Sequence, residues 1–226
     1  MIYFNNVTKK YAGSSVSLED INISITQGEF VAIVGHSGAG KTTLTKLILA
    51  EESPTGGTVF FQSTDIHKLS NKDLTRFRRK VGIVFQDFRL LSNKTAYENI
   101  AFAMEAIEKN EREIAQDVPH VLELVDLTAK AHHFPHQLSG GEKQRLAIAR
   151  AIITQPDIII ADEPTGNLDP INTNEVVNLL KKINDLGTTV ILTTHNRSVV
   201  DQVKKRVITL ENGRVVRDDK DGKYML

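Results

Sequence analysis

The 226-residue sequence has no cysteine. That excludes disulfides and thiolate metal sites, and it suits a reducing compartment. It has no net charge either, because 28 Lys and Arg balance 28 Asp and Glu. A neutral total argues against a chain that simply coats nucleic acid, although it says nothing about local patches. No apolar run approaches the roughly 18 residues of a membrane-spanning helix. The first residues, MIYFNNVTKKY, lack the basic-then-apolar pattern of a secretory leader. There is no internal repeat and no low-complexity linker. What remains is ordinary globular composition, 40% hydrophobic and 25% charged. Disorder, a collagen-like fibre and a disulfide scaffold are thereby excluded. The length suits one large domain or a domain with an insert. Such a chain buries about 70% of its unfolded surface and needs no staples.

Short apolar runs alternate with longer helical patterns. The runs are Phe30–Val34, Val81–Phe85, 157–161 and 188–192. Continuous Val/Ile runs suit strands buried on both faces of a parallel sheet. Ala96, Ile100, Ala103 and Ile107 recur at helical spacing, as do Val176, Val177, Leu180 and Ile183. The pattern predicts an α/β sheet flanked by helices. Residues 1–30 alternate weakly, and Gly56-Gly57 precedes a β-rich run. These predict antiparallel strands added to one side of the sheet. Asn212-Gly213 between two apolar runs predicts a hairpin. Residues 87–154 have little strand character and predict a helical insert, leaving 1–86 and 155–226 as the core. Pro119 is expected to start or interrupt a helix there.

Residues Gly35, His36, Ser37, Gly38, Ala39, Gly40, Lys41 and Thr42 match G-x-x-x-x-G-K-[ST]. A strand precedes them and a helix over about 41–50 follows, the context the motif demands. Glycines let backbone N–H groups wrap around phosphate oxygens, and the helix N-terminus adds its positive dipole. Lys41 supplies a point charge for β- and γ-phosphates. Thr42 offers a hydroxyl to Mg²⁺, with Thr43 one step further into the helix. A chance glycine-rich turn is the plain alternative, and the intact motif with both flanks argues against it. Nucleotide binding alone does not choose among kinase, GTPase, motor and transporter ATPase.

Ile158-Ile159-Ile160-Ala161-Asp162-Glu163 is a buried strand ending in two acids. Asp162 is the expected partner of Mg²⁺. Glu163 is placed to polarise an attacking water, which suggests hydrolysis rather than mere binding. Alone, the pair would read as surface acids at a strand end. Further along, Ser139 and Glu142 form a capping box at the start of a helix through about 154. Ser139-Gly140-Gly141 at a helix N-terminus also reads as a second anion site. One nucleotide already has a cradle, so a second site suggests a second copy of the chain.

LSGGE-x-Q-R shortly before a strand ending in Asp-Glu resembles the ATP-binding-cassette (ABC) ATPases, and the likeness covers nearly the whole chain. The resemblance implies a P-loop fold with a RecA-like core, an antiparallel β subdomain and a helical subdomain. It implies an ATPase using ATP and Mg²⁺. Two copies would pack head-to-tail as an ATP-dependent homodimer. Ser139, Gly140, Gly141 and Glu142 of one copy would then meet the phosphate held by Lys41 of the other. Tyr11 is similar to the aromatic residue that stacks on adenine. Gln86 resembles the glutamine that meets Mg²⁺ and attacking water. Gly166-Asn167-Leu168-Asp169 resembles the loop crossing the dimer interface, and His195 the histidine that bonds the γ-phosphate. Two departures are mild: Ala50 stands where many members have Gly, and Asn196 where Asp is usual.

Within the family, the text around residues 36–40, 85–91 and 134–138 looks most like members that act in cell division. ADEPTGNLD at 161–169 is shared with lipoprotein-release and macrolide-export members. Either likeness implies a polytopic membrane partner and a place at the cytoplasmic face of the plasma membrane. Phe88, Leu90 and Leu91 are candidates for exposed anchors in the groove receiving that partner, or for packing under the insert. A soluble role in DNA repair or translation would call for two cassettes or a long coiled coil, and neither is present. A non-catalytic ATP clamp is opposed by Glu163 and His195. His132, His133 and His136 lack a fourth ligand and read as a loop rather than a zinc site. Lys204, Lys205 and Arg206 read as a solvated helix end, or as a contact for anionic lipid.

Overall fold

The computed structural model describes residues 1–11, 13, 16–220 and 222. In chain order the elements are β1 (Ile2–Lys10), β2 (Val16–Ile25), β3 (Phe30–Val34), α1 (Lys41–Ile48), β4 (Gly56–Phe61), β5 (Thr64–Asp65), α2 (Asn71–Arg78), β6 (Val81–Phe85) and α3 (Ala96–Glu105). There follow α4 (Glu111–Leu124), α5 (Gly140–Ile152), β7 (Ile158–Asp162), α6 (Pro170–Asp185), β8 (Thr189–Thr194), α7 (Arg197–Val203), β9 (Arg206–Glu211) and β10 (Arg214–Asp219).

Six strands form one sheet in the order β10-β9-β3-β8-β7-β6, parallel except for β10. Its central strands are apolar on both faces because both are covered. Along β7, Ile159 and Ala161 join one core, while Ile158 and Ile160 join another. A period of two with both sides buried gives an unbroken apolar run. The first core lies against α3, α4, α5 and α6; the second holds α1 and the inner face of the other sheet.

That other sheet has the order β2-β1-β4-β5 and is antiparallel throughout. The expectation of strands added to one side of a single sheet is corrected here: β1, β2, β4 and β5 stand apart, and only β10 is an antiparallel edge. The physical reason is one-sided burial. In β2, Leu18, Ile21, Ile23 and Ile25 are buried, while intervening residues are wet, so the sheet needs just one apolar neighbour. The two sheets meet where Glu19 N–H donates to Gly213 O at 2.8 Å, beside the β9–β10 turn. They also meet at Arg206, which donates to Asp218, to Glu29 at 2.8 Å and to Ser24 O at 2.7 Å. Arg206 is therefore a half-buried tie between the sheets, neither a solvated helix end nor a lipid contact.

Residues 87–154 hold α3, α4 and α5, with short 3-10 turns at 128–130 and 135–137. Pro119 neither starts nor ends α4. Asn110 caps that helix through a capping box with Glu113, and α4 runs five residues past the proline. Ile114, Val118 and Leu122 seat one face of α4 in the core, which offsets the lost backbone bond. Helix α5 approaches β6 so closely that a Cβ at Gly82 would lie 2.6 Å from Ala151 O. Phe88, Leu90 and Leu91 are half-buried rather than exposed. Phe88 and Leu90 pack against the core, and the buried Asn99 brackets Leu91 through its N–H (2.8 Å) and carbonyl (3.1 Å). Among the described residues no helix is long and apolar enough to cross a membrane.

Candidate functional site

The site lies at the C-terminal ends of the parallel strands. Strand β3 runs into the loop 35–40, and α1 begins at Lys41. Two glycines let the chain turn so tightly. Gly38 has φ +83° and Gly40 φ +105°, where side chains are strained. A Cβ at Gly40 would also lie 2.6 Å from Leu18 Cδ2 and 2.8 Å from Ser17 O. His36, Ser37 and Gly38 are exposed, whereas Ala39 packs its methyl inward.

Lys41 is only 7% exposed. Its Nζ donates to Gly35 O (2.7 Å) and His36 O (3.2 Å), which holds the loop curled over the ammonium. Glu163 Oε1 lies 3.3 Å from the same atom. Glu163 itself has φ +48°, an uncommon left-handed conformation for a non-glycine residue. Thr193 supports the turn: its hydroxyl donates to Asp162 Oδ1 (2.5 Å) and accepts the Glu163 N–H (3.2 Å). His195 follows on from β8. Its Nδ1 is 2.9 Å from Glu163 Oε2, and its N–H donates to that oxygen at 3.3 Å.

These groups wall an open cleft of about 540 Å³. Its lining includes His36, Ser37, Gly38, Gly40, Lys41, Thr42, Thr43, Gln86, Glu163 and His195. Ser17 lines it too, and sequence reasoning missed that residue. The Ser17 and Thr43 hydroxyls are 2.8 Å apart, a link between β2 and α1 that no local pattern signals. Thr193 was also missed, although a threonine pair closing an apolar strand beside the acids was a visible cue. Gln86 Nε2 donates to Asn167 Oδ1 (3.3 Å), and Asn167 Nδ2 donates back to Gln86 O (3.3 Å). That pair joins the end of β6 to the 166–169 loop.

The structure leaves other sequence-predicted residues outside the cleft. Tyr11 is half-buried, with Lys9 Nζ 4.9 Å from its ring centre. Ser139 caps α5: Ser139 N–H donates to Glu142 Oε2 (2.8 Å), and Glu142 N–H donates to Ser139 Oγ (3.2 Å). The Ser139 bonds hold the Glu142 carboxyl below its usual range. Ser139 and Gly140 are exposed, but Gly141 is buried under α6, where a Cβ would meet Asn172 Oδ1. Asp169 fixes Asn172 by accepting its backbone N–H at 3.0 Å, and Asn172 N–H leads the bonds that hold the Asp169 carboxyl below its usual range. Asn196 caps α7, accepting Ser198 N–H at 3.0 Å. His132 and His136 are exposed, and His136 stacks on Phe134.

A buried lysine, an acid pair and a glycine loop together are able to grip phosphate and polarise water. A family described as ABC transporter matches residues 18–166. The cell division ATP-binding protein FtsE of Streptococcus pneumoniae is 49% identical over 224 residues, covering 99% of this chain and 97% of that protein. The methionine import ATP-binding protein MetN 2 of Bacillus cereus is 45% identical, covering 97% of this chain but 66% of that protein. The ATP-binding cassette MJ0796, solved as a dimer in a post-hydrolysis state with ADP and Pi, superposes with a TM-score of 0.88. It is 37% identical, covering 99% of this chain and 100% of that one. Motif, cleft and full-length likeness coincide on one polypeptide, which belongs to the ABC transporter family and is one of its ATPases.

Proposed function

We propose that the chain is the ATP-hydrolysing subunit of a cell-division complex, working as an ATP-bridged homodimer beneath an FtsX-type membrane protein. The observation that carries this reading is the 49% identity to FtsE over 224 residues, nearly end to end in both chains. In that complex, hydrolysis would change the shape of the membrane partner and so control cell-wall hydrolases, with no solute moved. Methionine import is the second reading, favoured by the 45% identity to MetN 2. Lipoprotein release or macrolide export is a third, resting on the shared ADEPTGNLD segment. The partner that co-purifies from native membranes decides among them. An FtsX-type protein supports the first; a methionine permease or a lipoprotein-release subunit overturns it.

In this reading the loop 35–40 and the α1 N-terminus bind the phosphates through backbone N–H groups, and Lys41 neutralises them. Tyr11 stacks on the base. Thr42, Gln86 and Asp162 offer hydroxyl, carboxamide and carboxylate oxygens, a hard donor set that suits Mg²⁺. Held by these residues, Mg²⁺ would supply positive charge to stabilise the developing phosphate negative charge. Glu163 takes a proton from water as the oxygen attacks the γ-phosphorus in line. The bond to the β-phosphate oxygen breaks, and ADP leaves. His195, held by Glu163, hydrogen-bonds the γ-phosphate. Ser139, Gly140, Gly141 and Glu142 complete the site of the opposite copy. The exposure of Ser139 and Gly140 outside their own cleft supports that arrangement.

The membrane partner docks where the helical unit 87–154 meets the core. With Phe88, Leu90 and Leu91 half-buried, the available concavity is a neighbouring groove of about 550 Å³ between α2, β6 and α3. Phe102, 45% exposed, stands on its wall. Phe102→Asp is expected to release the partner while ADP binding is kept. Unchanged co-purification would remove this docking site.

A further inference from the structure

A buried hydroxyl stands near the end of β8. Thr193 has no solvent exposure, and Val190, Ile191 and Leu192 before it are apolar and equally buried. Valine has nearly the same shape and suits a strand as well. A buried hydroxyl is costly unless it is hydrogen-bonded. Thr193 is therefore explained by what its oxygen does.

Strands β7 and β8 run parallel with Asp162 beside Thr193. The Thr193 hydroxyl accepts Glu163 N–H at 3.2 Å. Its single proton goes to Asp162 Oδ1, 2.5 Å away. Glu163 N–H does not depend on the hydroxyl, because it also donates to the Thr193 carbonyl at 3.1 Å. The Asp162 carboxylate has no second hold. Among the described residues no other group hydrogen-bonds it. A carboxylate turns readily about its last bond, a torsion with broad minima. One charge-assisted hydrogen bond fixes that turn: Oδ1 faces Thr193, and Oδ2 is left for a cation.

Resting on the reading that Thr42, Gln86 and Asp162 hold Mg²⁺, we infer that Thr193 is a positioning residue for that ion. Its hydroxyl holds the Asp162 carboxylate ready before the cation arrives. Outer partners of this kind orient a ligand that would otherwise lose its freedom on binding. A competing role, support of the left-handed turn at Glu163, falls to the carbonyl of residue 193, which any residue there supplies. The other threonines of β8 set the contrast. Thr189 accepts Gly28 N–H at 3.0 Å, and Thr194 accepts Asn196 N–H at 3.0 Å. Of the three, only Thr193 donates to a charged side chain.

The test measures metal affinity directly, with Mn²⁺ as the probe ion. The full chain carrying Ser139→Arg, which keeps two copies apart, is held in excess over β,γ-imido-ATP. Mn²⁺ is titrated in, and its free fraction is followed by electron paramagnetic resonance. Thr193→Val is expected to weaken Mn²⁺ about tenfold, the low end for losing an outer partner of a metal ligand. Binding of β,γ-imido-ATP in EDTA should stay at the parent's affinity. Thr193→Ser keeps the hydroxyl and should restore most of the Mn²⁺ affinity. Asp162→Asn is the reference and should weaken Mn²⁺ at least as much as Thr193→Val. If Thr193→Val does not fold, Thr193→Ala is compared with Thr193→Ser instead. Mn²⁺ affinity unchanged by Thr193→Val but lowered by Asp162→Asn overturns the positioning role and leaves Asp162 as the partner of the ion. Mn²⁺ affinity unchanged by both overturns the underlying reading of the metal site as well. A parallel loss of nucleotide binding in EDTA, or no recovery in Thr193→Ser, would make the role of Thr193 a general structural one and overturn the proposal.

Discussion

Glu163 Oε1 lies 3.3 Å from Lys41 Nζ, so the acid proposed to activate water and the cation proposed to grip phosphate form an ion pair with each other. The other oxygen of Glu163 engages His195 at 2.9 Å. One carboxylate thus engages both groups that, in the proposed reading, hold the terminal phosphate. Glu163→Gln removes that competing charge as well as the base. ADP, which does not require a dimer, should bind the variant more tightly by on the order of 1 kcal/mol, about fivefold. Calorimetric titration in a Ser139→Arg background keeps dimer closure out of the measurement. Equal or weaker ADP binding by Glu163→Gln would count against the internal pair. With ATP and Mg²⁺, but without the Ser139 change, the same variant should sediment as a stable dimer. Lys41→Ala should bind neither nucleotide.

Ala50 carries a backbone that suits glycine. It follows the α1 C-cap, Leu49, with φ +50°. A left-handed residue there costs a side-chain-bearing amino acid about 1 kcal/mol relative to glycine. Ala50→Gly should raise the melting temperature by about 2–4 °C in a chain of this size, with ATPase activity unchanged. A drop in melting temperature would show that the methyl makes a contact worth more than the strain.

What the sequence revealed follows the range of each interaction. The cradle at residues 35–42 is local, a glycine turn between an apolar run and a helix, so it is legible without a fold. Glu163 is legible as an acid closing an apolar run, whereas Gln86 and His195 stand out only through the family resemblance; all three line the cleft because each follows a strand of one sheet whose C-terminal ends share an edge. Ser17 was not legible, because its strand lies in the second sheet and only tertiary packing brings its hydroxyl 2.8 Å from Thr43. Pro119 misled for the opposite reason: a strong local signal gave way to the packing of Ile114, Val118 and Leu122. Phe88 and Leu90 could be read from sequence either as exposed anchors or as packed under the insert, and the second holds; the sequence left the choice open because the core beneath them comes from distant segments.

Arg206 makes one acid-sensitive tie of the fold. Its guanidinium ties Glu29 in front of β3 to Asp218 on β10 and to Ser24 O on β2. Burial pushes the Glu29 carboxyl upward, but the Arg206 and Thr26 hydrogen bonds outweigh it and leave the pKa lowered. A carboxyl with a depressed folded pKa contributes stability above its unfolded pKa, and loses it as pH falls through the folded one. Melting temperature should therefore fall more steeply below about pH 4.3 in the native chain than in Glu29→Gln. Arg206→Leu should cost about 2 kcal/mol at neutral pH by leaving two carboxylates without their cation. Parallel acid slopes for the native chain and Glu29→Gln would remove Glu29 from this account.

Whether each site draws on two chains is decided by mixing two defective proteins. Lys41→Ala destroys a chain's own cleft but leaves its Ser139 turn intact. Ser139→Arg leaves the cleft but spoils the turn offered to the opposite copy. In a mixed pair the intact lysine faces the intact serine, and both defects fall together in the other site. One sound site per mixed dimer is thus restored from two inactive stocks. Random pairing makes half the dimers mixed, so about one quarter of native ATPase activity should appear on mixing. Subunits that hydrolyse independently would show no gain over either stock. Rescue must also fall away on dilution below the dimerisation range, because the second chain is then lost. A mixture that stays inactive while sedimenting as an ATP-bound dimer would rule out sites composed of two chains.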